Sequence, residues 1–367
     1  MGVAHAAADL RPVIRKLVAR VDLSEAEMAG AFDSILSGEA SEASIASFLV
    51  ALTMKGETPA ELRAILQSVR RRATRITPAV GGGLPLIDTC GTGGDSIRTF
   101  NVSTAAAVVA AAAGAKVAKH GNRSVSGVCG SADFLESIGL DLNAPPTKVQ
   151  KCIENTGIGF LFAPTFHPAM KNAAQARKTV GIRTVFNMVG PLSNPCTNIY
   201  GQVIGVFEPS FMETLAQACQ GYISEAMIVH AADGFDELSN TCENDILWVT
   251  GDDDGGQTVK RLRLSPKAVG MSVARPERLE VTTRDDSIKS TLTAIYGKAA
   301  EEKEDIVVLN ASAALVVGRV ASDLKEGVKI ARHAIKSGQA HEKLAHIISE
   351  CGNKEALEQA EKKASLL

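Results

Sequence analysis

The chain has 367 residues, 45% of them hydrophobic and 22% charged, the balance of a globular protein with room for two domains. Its 39 basic and 41 acidic side chains leave a formal charge of −2, so bulk charge selects neither nucleic acid nor a membrane surface as partner. Seven cysteines stand singly, with no CxxC pair and no histidine at metal-ligand spacing, a pattern of reduced thiols in a cytosol-like compartment.

The first residues, MGVAHAAADLRP, lack the long apolar core of a secretory signal, and Ala6 stands where a myristoylation signal has Ser or Thr. We expect a cytoplasmic protein, although a trimmed organellar transit peptide would leave no trace. From Leu10 to about Ile76 four amphipathic stretches follow one another, each with a Ser, Thr or Asp near its start, and with Gly38 and Gly56 placed as stops. They predict a small helical domain over 1–79. The basic run RRRATR from Arg70 reads as a helix C-terminus suited to its dipole, since a nucleic-acid module shows a wider basic stripe.

The stretch 78–83, PAVGGG, reads as a linker. Beyond it, over 80–367, short β-branched runs alternate with small-residue helices. LPLID, AKVAK, YGQVIGVF, EAMIVHA and DIVVLN are the predicted strands of a mainly parallel sheet, which makes the whole an α/β protein with a small N-terminal all-helical domain. The run TAAAVVAAAAGA from Thr104 is far shorter than the roughly 20 residues of a membrane span and reads as a buried helix. HPAMKNAAQARKTVG, after Thr165, interrupts the alternation with another helix; the segment 165–195 is expected to join the helical domain and to line a cleft. GDDDGGQ from Gly251 reads as a surface hairpin or loop.

Between LPLID and the alanine-rich helix lies GTGGDSIRTF, a strand-to-helix loop of the kind that closes over ligands at the C-terminal edge of a parallel sheet. Glycines let backbone N–H groups reach an anion, and Asn101, Ser103 and Thr104 add donors at the positive end of the helix. Two familiar phosphate loops do not fit. Ser96 replaces the third glycine of a dinucleotide fingerprint, and no G-K-[ST] follows for a nucleoside-triphosphate loop. After the second strand comes KHGNRSVSGVCGSAD, whose Lys119, Asn122, Arg123, Ser124, Ser126 and Ser131 stand among glycines. Two polar glycine loops on consecutive strand edges suit two anionic groups separated by a sugar, as in a phosphoribosyl diphosphate. His120 has no Ser or Cys nucleophile fixed beside it, so a general-base role is not expected.

The third strand leads into ADGFDELS, which sets Asp236 and Glu237 at the same edge. Adjacent carboxylates repel one another and suit a hard cation such as Mg²⁺ shared with substrate oxygens. Asp95 and Ser103 are the loop residues best placed to join the metal or the sugar. On or beside the interrupting helix, Arg177 could grip a carboxylate as a bidentate fork, although His167, Lys171, Arg177, Lys178 and Arg183 read equally as surface groups.

The ordered set GTGGD, NVST, KHGNRS, GSAD, HPAMKN, RKTVGIRTVFN, GPLSNP and DGFDE resembles the anthranilate phosphoribosyltransferase family over nearly the full chain, from GEASEASIASFLVALTMKGET to NASAALVVG and SGQA. The resemblance implies transfer of a phosphoribosyl group from 5-phosphoribosyl 1-diphosphate to the amine of anthranilate with Mg²⁺, in tryptophan biosynthesis, by a homodimer formed through the helical domain. Carried over by motif, it assigns the donor to Gly91, Gly94, Asp95, Thr99, Asn101, Val102, Ser103, Thr104, Lys119, His120, Gly121, Asn122, Arg123, Ser124, Val125, Ser126, Gly127 and Ser131. Ser103, Asp236 and Glu237 would hold the metal; Gly91, Asn122, His167 and Arg177 would meet anthranilate. No residue is assigned as a dedicated base. Gly127 departs from the family pattern, which more often has a second Ser there.

Two other readings share the arrangement. A pyrimidine nucleoside phosphorylase would bind free phosphate without a magnesium-holding carboxylate pair. A non-catalytic nucleic-acid-binding relative would need an extended basic surface.

Overall fold

The computed structural model describes residues 9–93, 98–124, 127–251 and 256–367. The chain divides into two compact units, Met1–Thr74 with Phe166–Pro195, and Arg75–Thr165 with Cys196–Leu367.

The first unit is helical: α1 (Arg11–Val18), α2 (Glu25–Ser37), α3 (Glu42–Lys55) and α4 (Pro59–Arg71), joined by two helices from later in the chain, numbered α9 (Lys171–Val180) and α10 (Val185–Leu192). Local chemistry starts and stops them. Ser24 and Thr58 form capping boxes with Glu27 and Glu61, Ser41 accepts the Ser44 N–H, and Gly38 ends α2 at φ 82°. The core centres on Phe32, whose ring lies 6.0 Å from Phe48 and 5.6 Å from Phe186. The buried Glu61 carboxylate ties the helix connections together. It accepts from Leu23 N (2.9 Å), Thr58 N (2.9 Å) and Lys55 Nζ (2.8 Å), and Lys55 also reaches Asp22 at 2.7 Å.

The second unit is built on a seven-stranded sheet: β1 (Leu86–Gly91), β2 (Lys116–Gly121), β3 (Ile158–Phe162), β4 (Ile199–Gly205), β5 (Glu225–Ala231), β6 (Asn244–Gly251) and β7 (Gln257–Leu264). Its order is β3-β2-β1-β4-β5-β6-β7. The first five strands in that order are parallel, and β6 runs antiparallel to both of its neighbours, β5 and β7. Chain direction across the sheet therefore reverses between β1 and β4, the switch point outside which ligands of open α/β sheets bind. Gly91 and Gly205 are partners in register there.

The helices of this unit are α5 (Val102–Ala112), α6 (Ser131–Ser137), α7 (Pro146–Thr156), a short α8 (Ala163–Phe166) that ends at the boundary, α11 (Met212–Ala218), α12 (Arg284–Ile295), α13 (Glu301–Val317), α14 (Leu324–Lys336), α15 (Gln339–Cys351) and α16 (Lys354–Lys363). The alanines of α5 let α12, α13, α14 and α15 pack against it at close range.

Several elements differ from the sequence reading. DIVVLN lies inside α13, not in a strand: every position from Asp305 to Val317 is buried, and a helix enclosed on all sides loses the periodicity that would mark it. β3, β6 and β7 are additional strands. β6 and β7 flank the polar stretch at 251–257, of which residues 252–255 lie outside the described residues. The start of the expected linker is fastened to α7, where Thr77 N and Ala79 N donate to Gln150 and Glu154.

Candidate functional site

At the switch point the ends of β1 and β4 carry no side chains, and the loop after β5 lies over them. A Cβ added at Gly91 would collide with the Asp236 carboxylate, and one added at Gly205 with the Asp236 carbonyl oxygen. Both glycines are needed for this approach. Gly93, at φ 70°, donates its N–H to Asp236 Oδ2 at 2.7 Å. In the first turn of α5, Ser103 N donates to Glu237 Oε1 at 3.2 Å, which sets a carboxylate on the positive helix end. The two carboxylates thus already hold backbone donors that the sequence reading reserved for phosphate.

Lys119 is the buried cation of the site. Strand β2 runs on to Gly121, so Lys119 ends no strand but lies within one, and His120 and Gly121 continue it beyond the expected AKVAK. The Lys119 ammonium donates to Thr89 O at 2.6 Å and Ser103 Oγ at 3.3 Å. Burial lowers its pKa, while the charges of Asp88 and its neighbours work in the other direction. Beside it, His120 N donates to Asp88 Oδ1 at 3.1 Å. A cavity of about 10 Å³, room for a single water or ion, is lined by Thr89, Cys90, Ser103, Asp236, Glu237 and Asn310 among others.

The remaining donor-loop residues are placed as follows. Thr99 forms an isolated bridge with Glu280, Val102 is buried, and the Thr104 hydroxyl is buried without a hydrogen-bond partner. Asn101 precedes α5 but does not cap it; its Nδ2 donates to Ser287 Oγ at 3.3 Å. Arg123, expected to face phosphate, has its guanidinium held by Glu136 (2.7 and 2.8 Å) and Asp133 (3.0 Å), which raises its pKa further. Ser131 Oγ donates to Asn122 O at 3.2 Å, and Ser124 Oγ to Gly127 O at 2.9 Å. Gly94, Asp95, Val125 and Ser126 lie outside the described residues.

In the helical unit, His167 is buried and desolvation pushes its pKa down to about 4, so it is neutral near pH 7. Arg177, on α9, lies half-buried with its guanidinium 4.7 Å from the centre of the Phe186 ring. Desolvation lowers its pKa, and no carboxylate bridges it among the described residues. It is a cation suited to an anionic ligand.

Residues 11–73 match the model of the glycosyl transferase family helical bundle domain, and residues 83–341 that of the family's a/b domain. The anthranilate phosphoribosyltransferase of Acetivibrio thermocellus is 44% identical over 92% of this chain and 96% of its own. The chain belongs to the anthranilate phosphoribosyltransferase family. Among solved structures, that of the Thermus thermophilus anthranilate phosphoribosyltransferase superposes with a TM-score of 0.84 at 37% identity, over 92% of this chain and 98% of that one. The Saccharomyces cerevisiae enzyme in complex with PRPP and Mg gives 0.83 at 25% identity, over 95% and 99%. In complex with 4-fluoroanthranilate it gives 0.81 at 26%, over 93% and 97%.

The anthranilate phosphoribosyltransferase family implies magnesium, and the donor set fits it. Among the described residues no cluster of three or more His, Cys, Asp or Glu forms a closed cage. Two carboxylates and a serine hydroxyl around a small cavity match a cation that keeps most of its shell for water and substrate phosphate. The sequence reading missed Gly205, Thr89 and Asn310. The first sat inside an apolar strand run, and the other two contribute through backbone contacts that no local pattern announces.

Proposed function

We infer that this chain transfers the phosphoribosyl group of 5-phosphoribosyl 1-diphosphate to the amine of anthranilate, giving N-(5-phosphoribosyl)anthranilate and pyrophosphate in tryptophan biosynthesis. The observation that carries this reading is the Asp236–Glu237 pair seated on two glycine strand ends at the switch point, in a chain 44% identical to an enzyme of that name. A phosphorylase has no use for that pair, and the relatives reported above are phosphoribosyltransferases.

Asp236, Glu237 and the Ser103 hydroxyl would hold Mg²⁺, which supplies charge neutralisation for the departing pyrophosphate. The glycine loop from Gly91 and the loop from Asn122 to Ser131 offer N–H and hydroxyl donors to the donor's phosphates, with the Thr104 hydroxyl held in reserve beside them. Lys119 keeps the Ser103 oxygen oriented while adding positive charge below the leaving group. Arg177 takes the carboxylate of anthranilate and so aims the amine, and His167, neutral at pH 7, lends shape and a hydrogen bond. As the C1–O bond breaks, positive charge builds at C1 and the amine attacks. The nitrogen becomes acidic as its bond forms, and its proton leaves to solvent, so positioning rather than a dedicated base provides the catalysis.

The assembly fits a homodimer formed through the helical unit, where Val18, Val21 and Met54 are exposed and Lys55, next to Met54, pairs with Asp22, next to Val21. No helix of the described residues is long and apolar enough to cross a membrane, and the seven free thiols suit a cytoplasmic setting.

The test follows anthranilate fluorescence with donor and Mg²⁺, against a chelator control. Loss of signal only with donor and metal supports the reading. Persistent signal from folded protein in every mixture overturns it.

A further inference from the structure

The carboxylates of Asp236 and Glu237 repel each other, yet they sit on a loop and not on a strand or helix, and something must hold that loop before a cation arrives. The two residues that follow, Leu238 and Ser239, are each paired by a side-chain amide as though by a neighbouring strand. Leu238 N donates to Asn310 Oδ1 at 3.0 Å, and Asn310 Nδ2 returns to Leu238 O at 2.8 Å. Ser239 N donates to Asn244 Oδ1 at 2.7 Å, and Asn244 Nδ2 returns to Ser239 O at 2.8 Å. An Asn amide carries the donor and acceptor of a peptide group, so each pairing satisfies both backbone atoms of its residue.

Both asparagines are buried and fixed from behind. Asn310 Nδ2 also donates to Ile306 O at 2.9 Å within α13, and Asn244 Nδ2 to Leu264 O at 3.3 Å on β7. Asn is a poor helix former, and in the buried interior of α13 it stands among apolar and small residues; the Leu238 backbone is the partner that accounts for it. The Ser239 and Thr241 hydroxyls both bond Asp233, which closes the loop on itself. Asn310 also lines the small cavity that Ser103, Asp236 and Glu237 share.

We propose that Asn310 and Asn244 are positioning residues that set the Asp236–Glu237 carboxylates for a divalent cation by pairing with the backbone of Leu238 and Ser239 in advance of the metal. The inference rests on the transferase reading, which supplies the metal's role. It gives the NASAALVVG motif, whose first residue is Asn310, a part in the site.

Two measurements on the full chain test it. In wild-type protein without metal, hydrogen exchange at the Leu238 and Ser239 amides should be slow; fast exchange that slows only on adding Mn²⁺ and pyrophosphate overturns a preformed clamp. This readout needs no variant to fold. Free Mn²⁺, counted by electron paramagnetic resonance in titrations with pyrophosphate present, should then show affinity about tenfold weaker in Asn310→Ala, the usual loss when a partner of metal ligands is removed. Val308→Ala, a cavity in the same buried helix, should loosen the fold while leaving Mn²⁺ affinity unchanged. Unchanged affinity in Asn310→Ala, or an equal loss in Val308→Ala, overturns the positioning role while normal wild-type transfer leaves the transferase reading standing. Wild-type protein that neither binds Mn²⁺ with pyrophosphate nor transfers overturns both.

Discussion

The loop 233–244 and the stretch 167–183 both carry charged side chains assigned to the reaction, and they hold them in opposite ways. In the first, the Asp236 and Glu237 carboxylates accept backbone N–H groups, and the residues after them are clamped by Asn310 and Asn244. In the second, Arg177 rests on an aromatic ring with no carboxylate bridging it among the described residues, and His167 is stripped of its charge by burial. Under the proposed assignments, the leaving group would meet geometry supplied beforehand, and the acceptor would meet a desolvated cation that it completes. The first arrangement favours rate and the second favours selectivity.

The widest effect should come from the prearranged side. Asp236→Asn with Glu237→Gln should lower kcat/KM on the order of 10³-fold with the circular dichroism spectrum unchanged, and a loss under tenfold would break the contrast. On the acceptor side, Arg177→Ala should raise the KM for anthranilate about 10- to 100-fold, the worth of a charged hydrogen bond, and leave the donor KM alone. Arg177→Lys should recover only part, because an ammonium cannot imitate the fork. Equal effects on both substrates would remove Arg177 from the acceptor.

Glycines sharpen the comparison. Gly205→Ala forces a methyl into the Asp236 carbonyl and should cost about 1–3 kcal/mol in thermal unfolding, the range for overpacking, together with weaker metal dependence. Gly190→Ala, in the helical unit with nothing within 4 Å of the added carbon, should be nearly neutral.

In wild-type protein the smallest net effect concerns protons in the helical unit, where two opposite trends offset each other. His167 has a folded pKa of about 4 against an ordinary 6.5, so its stability is full above pH 6.5 and is lost as pH falls toward 4. Burial raises Glu57 to about 7 from 4.5, so its contribution is full below pH 4.5 and is lost as pH rises through 7. Between pH 4.5 and 6.5 the two slopes oppose each other, each at most about 1.4 kcal/mol per pH unit. Urea melts of Glu57→Gln should therefore show stability falling as pH drops from 6.5 to 4.5, and those of His167→Gln should show it falling as pH rises from 5 to 7. Parallel profiles would mean that one of these groups is not buried as described.

What the sequence made legible follows the same division. The strands β1, β2, β4 and β5 are bounded by glycine or polar loops, and both glycine loops and the carboxylate pair stand next to such boundaries, which is why the sequence pattern drew attention to them. α13 misled because a β-branched run in a fully enclosed helix looks like a buried strand. Arg123 was legible as a cation but not as one already engaged, because Asp133 and Glu136 reach it only once α6 has folded. Asn310 acts on a residue 72 positions away, and Gly205 matters only because another loop descends on it. Such partners belong to tertiary contact and leave no local trace.

The alanine stretch of α5 bears on how this enzyme can be altered. Ala105, Ala106, Ala107, Ala110 and Ala111 are buried, and the helix is hemmed in by α12, α13, α14 and α15. A larger residue there must displace a neighbouring helix, and Ser103, in the first turn, moves with it. Under the proposed acceptor role of Arg177, directed evolution toward other acceptor amines is therefore best spent around it, where Gln175, Lys178 and Thr179 are exposed, with α5 kept as an invariant spacer.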